Sequence, residues 1–387
     1  MALLKRKWPV IICLLLVALA VGYINLNGQN LADWRRDTMG GATPDLSSLQ
    51  GKEAMFYEQL EDDRVQCNLC FRNCVIPEGE RGFCRNRENR EGTLYNLVYA
   101  QASAVHVDPV EKEPMHHFLP GNNILCIGTA SCNFRCKFCH NWHMSQRSIE
   151  EIGYAQNLSP REVVQEAVNK NIPAISFTYN EPTVFYEYMY DIAKRAQERG
   201  IKVIFHTNGS MNPEPLRKLL PYIDGVTVDL KGFDNQYYED ITKGELETVL
   251  ETLKIIREKG VWLEIVNLVL PDLNEDSETI REMSEWINEE LGPGTPVHFS
   301  RFMPSYQMQD LSPTPVETLE EAADTAQEAG LKYISIGNVP GHRKNSTFCG
   351  NCDNKIISRH HFSVYDINVD DEGNCEFCGE SIPGVWE

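Results

Sequence analysis

Residues 131–146, SCNFRCKFCHNWHMSQ, place three cysteines and two histidines within twelve positions. Three chemistries fit this pattern. Cys136, Cys139 and His140 form C-x-x-C-H, the attachment motif of a c-type haem and hence of an electron carrier. Cys132, Cys136 and Cys139 form C-x3-C-x2-C, three thiolates for one iron–sulfur cluster. The same cysteines with His140 or His143 make a Cys3His set for zinc. The haem reading leaves Cys132 idle, and its motif is short enough to arise by chance. A cubane held by three thiolates uses every cysteine and leaves one iron open, whereas electron-carrying cubanes have four cysteines. An open coordination position is what metal-assisted catalysis requires.

The chain has thirteen cysteines. Cys13 and Cys126 lie in apolar runs and read as inert small hydrophobes. Cys349-Gly-Asn-Cys352 and Cys375-Glu-Phe-Cys378 are paired C-x2-C knuckles, the spacing of a zinc ribbon with four sulfurs on one tetrahedral ion. Cys67, Cys70, Cys74 and Cys84, in CNLCFRNCVIPEGERGFC, offer four more thiolates. Structural zinc is the first choice there and an auxiliary iron–sulfur cluster the second, since ligand type alone does not separate them. So many thiols awaiting metal suit a reducing compartment.

These groups need a scaffold. From residue 123 to 340, short β-rich runs alternate with amphipathic stretches. The runs are residues 124–130, 174–179, 202–207, 225–230, 261–270, 296–302 and 332–337. In SPREVVQEAVNK, Ser159 and Glu162 form a capping box, and Gly260 stops the helix of ETLKIIREKG. Alternation of this kind predicts a parallel sheet with right-handed crossovers. Its length suits a partial (β/α)6-type barrel better than a full eight-unit one. Polar residues cluster where the runs end: Tyr179-Asn180-Glu181-Pro182, Thr207-Asn208-Gly209, Asp229-Leu230-Lys231, Asn267, Arg301 and Asn338. In a β/α barrel these ends form one ligand-binding face, and the cysteine triplet follows the first run.

The net charge is −20 and lies wholly beyond residue 100. An acidic body repels phosphate backbones, so no nucleic-acid partner is expected. At the other end, Lys5-Arg6-Lys7 precedes an uncharged stretch from Trp8 to Ala32. It predicts a transmembrane helix over about residues 8–26, preferred to a cleaved signal. The expected organisation is an anchor (1–26), a linker (27–60), a Cys-rich N-terminal module (61–122), the barrel (123–345) and a zinc-ribbon-like module (346–387), with the catalytic body on the cytoplasmic side.

The triplet, with Phe138 before its last cysteine, resembles the radical S-adenosylmethionine (SAM) superfamily. TYNEP, HTNG and DLK resemble motifs of the activases of glycyl-radical enzymes. GTASCNFRCKFCHNWHMSQ, the upstream cysteine motif and the terminal CEFCGESIPGVW resemble more closely the radical SAM member of the AmmeMemoRadiSam system. The resemblance implies a 4Fe–4S cluster on Cys132, Cys136 and Cys139. It implies SAM held near Phe138, with Asn180 and Glu181 receiving the ammonium and Thr207, Asn208, Asp229 and Lys231 lining the ribose and methionine carboxylate. Reductive cleavage of SAM would give a 5′-deoxyadenosyl radical that abstracts hydrogen from a substrate, expected to be a protein or peptide. The implied partners are Memo-like and AMME-type proteins and an electron donor such as flavodoxin or ferredoxin. An activase installing a glycyl radical is the alternative. Two positions depart from the activase pattern: His206 replaces an aspartate, and Tyr179-Asn180 replaces two glycines. His140 and His143 read as loop histidines or as groups touching the cluster or substrate.

Overall fold

Apolar β-rich runs bury on both faces when helices cover them, and their backbone groups are then satisfied only by pairing with one another. In the computed structural model, which describes residues 49–387, they do so in one eight-stranded sheet. Its strands are β1 (Ala104–Pro109), β2 (Asn123–Gly128), β3 (Ala174–Phe177), β4 (Lys202–Thr207), β5 (Gly225–Asp229), β6 (Trp262–Val269), β7 (Val297–Arg301) and β8 (Ile334–Gly337). They pair in chain order from β1 at one edge to β8 at the other. Strands β2 to β8 are parallel, and β1 runs antiparallel along β2. Six crossover helices join the parallel strands: α1 (Pro160–Asn169), α2 (Tyr186–Gln197), α3 (Pro213–Leu219), α4 (Leu246–Glu258), α5 (Ser277–Glu290) and α6 (Val316–Glu328).

Local chemistry sets several boundaries. Ser159 caps α1: Glu162 N donates to Ser159 Oγ, and Ser159 N donates to the Glu162 carboxylate at 2.8 Å. The chain leaves α4 through Gly260, whose φ of +70° favours glycine. The helices turn apolar faces inward, so Val163, Ile192, Leu216, Leu253, Ile280 and Leu319 share one core with the strands. A second core, including Met115, Phe118, Ile124 and Ala174, forms where the segment after β1 crosses beneath the sheet. The Phe118 ring leaves no room for a Cβ at Gly225, the first residue of β5.

Before β1 lie two small antiparallel sheets, Lys52–Glu53/Thr93–Asn96/Arg87–Arg90 and Tyr57–Gln59/Val65–Cys67/Val75–Ile76. The first pair of these strands falls within the stretch read as linker. A buried ion pair ties the first of them to helix α2: Arg87 Nη2 donates to both Glu187 oxygens, at 2.8 and 2.9 Å. After β8, a three-stranded sheet, Thr347–Phe348/Lys355–His360/Ser363–Ile367, carries the last cysteines. Its Arg359 donates to Thr347 Oγ1 and to the His116 carbonyl, joining this end of the chain to the segment beneath the eight-stranded sheet.

The expected fold class is corrected at its N-terminal end. It placed a transmembrane helix ahead of the barrel, but among the described residues no helix is long and apolar enough to cross a membrane. The stretch 1–26 read as that helix lies outside the described residues. The edge strand β1 was also not foreseen.

Candidate active site

All seven parallel strands end on one face, so the side chains at their ends converge. Strand β2 ends at Gly128, where a Cβ would lie 2.8 Å from the Thr178 carbonyl, so glycine lets β2 approach the end of β3. The loop that follows carries the triplet and is pinned on several sides. Asn180 accepts from Thr129 N at 3.0 Å and donates to the Ser131 carbonyl at 2.7 Å. Arg135 N and Lys137 N donate to the Thr242 and Ile241 carbonyls, and Asn141 Nδ2 donates to the Tyr179 carbonyl.

Cys132, Cys136 and Cys139 are free thiols and line one cleft of about 790 Å³. Phe138, Asn180, Glu181, Thr207, Asn208, Asp229 and Lys231 line the same cleft, so every residue expected at the SAM site is brought to it. Its volume is in the range of small-molecule sites, roughly 300–1,000 Å³. Among the described residues, no three of the triplet's sulfurs and nearby histidine nitrogens lie within 4.8 Å of one another. One tetrahedral zinc needs thiolates about 3.8 Å apart, from a Zn–S bond of about 2.3 Å. The wider spacing suits a multi-iron cluster, whose ligands sit on separate irons. Cys132 Sγ accepts from Phe134 N at 3.3 Å and lies 3.8 Å from Asn208 Nδ2, donors that favour a charged sulfur. Burial pushes the Cys136 thiol up to about 12, and burial with Glu181 nearby raises Cys132. Metal binding reverses that preference by taking the thiolates. The donor set therefore fits the cluster that a radical SAM domain implies, along with its SAM.

Glu181 is buried and held on both oxygens. Oε1 accepts from Thr183 N at 3.0 Å and Thr207 Oγ1 at 2.8 Å, and Oε2 accepts from Asn208 N at 2.7 Å. Burial pushes its carboxyl up against those bonds. Asn180 is spent on the triplet loop, so its amide serves the cluster side more than the open cleft. Asp229 sits between two cations, 2.8 Å from Lys231 Nζ and 3.3 Å from His206 Nε2. Although burial opposes its charge, Lys231 and His206 hold its carboxyl well below the usual range. Burial pushes His206 down, but Asp229 and Glu113 raise it to about 10, so the imidazolium persists at neutral pH. The histidine that departs from the activase pattern thus supplies a fixed positive charge there.

His140 is exposed at the cleft, whereas His143 is exposed outside its lining. Sequence reasoning missed Glu113, whose Oε2 lies 3.1 Å from His206 Nδ1 and whose Oε1 accepts from Cys126 Sγ at 3.2 Å. It also missed Glu264 beneath the cleft, which accepts from His116 N and His117 N and lies 2.7 Å from His298 Nε2. The one available signal for Glu264 was a charge inside the apolar run VWLEIV.

The two four-cysteine groups differ. Cys349, Cys352, Cys375 and Cys378 have all four sulfurs within 4.8 Å of one another, with Cys349–Cys378 at 3.7 Å and Cys352–Cys375 at 3.9 Å. Asn354 bonds lower the half-buried Cys352 thiol to about 6. Cys67, Cys70, Cys74 and Cys84 line one small cavity but do not converge in that way.

The family description "Radical SAM superfamily" matches residues 126–286. An uncharacterized protein of Methanocaldococcus jannaschii is 46% identical over 332 residues, 86% of this chain and 98% of its own length. The pyruvate formate-lyase-activating enzyme of Clostridium pasteurianum is 26% identical over 159 residues, 40% of this chain and 66% of its own. The solved domain of the pyruvate-formate lyase-activating enzyme from Bacteroides vulgatus aligns at a TM-score of 0.37 and 19% identity, over 42% of this chain and 98% of that one.

Proposed function

The chain belongs to the radical SAM superfamily, as an enzyme related to glycyl-radical activating enzymes, and we propose that it modifies a protein or peptide together with Memo-like and AMME-type partners. The observation that carries the catalytic part is the convergence of Cys132, Cys136 and Cys139 with Glu181, Asp229 and Lys231 on one cleft at the strand ends. The partner part rests on the resemblance of the triplet loop, the upstream cysteine motif and the terminal CEFCGESIPGVW.

In this reading Cys132, Cys136 and Cys139 hold the 4Fe–4S cluster. When bound, the cluster and SAM supply one-electron cleavage of a sulfur–carbon bond and, through it, hydrogen abstraction. The chain's own groups bind and orient. Thr183, Thr207 and Asn208 fix the Glu181 carboxylate, whose remaining lone pairs receive the SAM ammonium. Lys231, held by Asp229 and 5.8 Å from the centre of the Phe138 ring, presents a cation towards the SAM carboxylate. Phe138 packs near the adenine, and Thr207 and Asn208 line the ribose. His206 keeps Asp229 ionised and fixed. The C-terminal cysteines hold zinc, since sulfurs 3.7 and 3.9 Å apart match a tetrahedron with edges of about 3.8 Å.

A flavodoxin or ferredoxin class protein supplies the electron. All twelve cysteines among the described residues are free, which suits a catalytic body in the reducing cytoplasm. The acidic surface disfavours nucleic acid. The test is to mix reconstituted enzyme, SAM and reductant with purified Memo-like and AMME-type proteins. Faster 5′-deoxyadenosine formation with a mass change on a protein or peptide component is expected. The absence of both stimulation and a mass change would remove the partner assignment.

A further inference from the structure

We infer that Cys67, Cys70, Cys74 and Cys84 hold a second iron–sulfur cluster of the four-iron type, and not the zinc ion that the sequence favours. The chain contains its own reference for comparison. At the C-terminal site the four sulfurs already lie at zinc spacing, all within 4.8 Å of one another. At the N-terminal site no three of the four do so, although all four cysteines line the same cavity. A single zinc requires four sulfurs about 3.8 Å apart, because each lies about 2.3 Å from the ion. A cubane places each thiolate on a different iron, so its four sulfurs stand roughly 6 Å apart around a core that needs room. Sulfurs that line one cavity yet stay outside zinc spacing follow from the second occupant. The three sulfurs of the triplet likewise do not all lie within 4.8 Å of one another.

The surroundings suit a sulfur-rich anion. Leu69, Ile76 and Val184 give the cavity apolar walls. Arg87 also lines it, and its buried Nε has no hydrogen-bond partner, although its Nη2 is committed to Glu187. An unpartnered buried N–H beside four thiolates calls for an acceptor such as a sulfide or cysteinyl sulfur. None of the four cysteines is in a disulfide.

The site also lies against the first one. Asn133 follows Cys132 directly; its side chain hydrogen-bonds Cys70, and its Oδ1 lies 3.9 Å from Cys132 Sγ. Arg72 Nε donates to the Asn133 carbonyl at 2.7 Å, and Phe71 N donates to the Ser210 carbonyl at 3.2 Å. One amide therefore touches a ligand of each proposed cluster.

The test uses the full chain with Cys132→Ala, Cys136→Ala and Cys139→Ala combined, reconstituted anaerobically with iron and sulfide. About four iron and four sulfide per chain, with broad visible absorption that dithionite bleaches, are expected. Iron-free protein with two zinc ions per chain, or with no metal at the first four cysteines, overturns the inference. Should that variant not fold, Cys84→Ala in the otherwise natural chain is compared with the natural chain. Iron is expected to fall from about eight to about four per chain, and unchanged iron overturns the inference. Because the triple variant lacks the triplet, its result does not depend on whether the SAM site is correctly assigned.

Discussion

Replacing Glu187 by Ala tests how the N-terminal sheets are fastened to helix α2. Both partners of the Arg87–Glu187 pair are essentially sealed from water, with side chains 2% and 1% exposed. The carboxylate also accepts from Met55 N at 2.7 Å and Asn96 Nδ2 at 2.6 Å. Its removal leaves a buried guanidinium without its counter-charge, which costs about 3–5 kcal/mol. Two neutral donors lose their acceptor as well, and each unsatisfied group costs about 1–3 kcal/mol. The losses share one cavity and are not additive, so we expect about 5 kcal/mol. That is a large part of a typical domain's total of about 5–15 kcal/mol. Anaerobic urea unfolding followed by tryptophan fluorescence reads the change. The double variant Arg87→Met, Glu187→Leu should cost less than Glu187→Ala alone, because no charge is left buried and unpaired. A loss below about 1 kcal/mol for Glu187→Ala, or a double variant as damaged as the single, would refute the reasoning.

Two further predictions concern other sites. Cys375→Ala should lower bound zinc from about one per chain to none and reduce stability, because a structural site uses all four ligands. It should leave the visible iron–sulfur absorption in place, and unchanged zinc content contradicts the assignment. His206, raised to about 10 from an ordinary 6.5, contributes stability that is full below its unfolded value and is lost as pH rises through about 10. The natural chain should therefore lose stability between neutral pH and about pH 10 more steeply than His206→Gln, read as unfolding midpoints across pH; parallel profiles contradict the ion triad.

Much of the scaffold could be read from local patterns. The seven β-rich runs fall on strands β2 to β8, because buried parallel strands have near-continuous apolar sequence. The Ser159 box and Gly260 act through neighbours a few residues away, which a sequence displays directly. Strand β1 escaped because an edge strand is half-exposed: Val107 is 40% exposed, and the run AVHVDP lacks an apolar signature. The convergence of Glu181, Thr207, Asn208, Asp229 and Lys231 on one cleft was legible because one topology sends the strand ends to one face. Glu113 was not, since its contact with His206 spans 93 positions and depends on how the segment after β1 crosses the sheet. The C-terminal spacing, two C-x2-C knuckles, reads directly as a zinc ribbon, whereas the C-x2-C-x3-C-x9-C of the N-terminal group fits zinc and a cluster alike. Only the folded backbone sets how far apart their sulfurs stand, so the choice between zinc and a cluster lay beyond the sequence. The apolar stretch 8–26 was read on composition alone and has no counterpart among the described residues.

The central claim is that the three thiolates of the C-x3-C-x2-C loop support reductive cleavage of SAM. Anaerobically reconstituted chain is incubated with dithionite and SAM, and 5′-deoxyadenosine is quantified by chromatography beside a Cys136→Ala preparation. Deoxyadenosine is expected from the natural chain, formed with an equal amount of methionine, and none from Cys136→Ala, because a three-thiolate site has no spare ligand. Full cleavage by Cys136→Ala, or haem bands in place of cleavage by the natural chain, would contradict it.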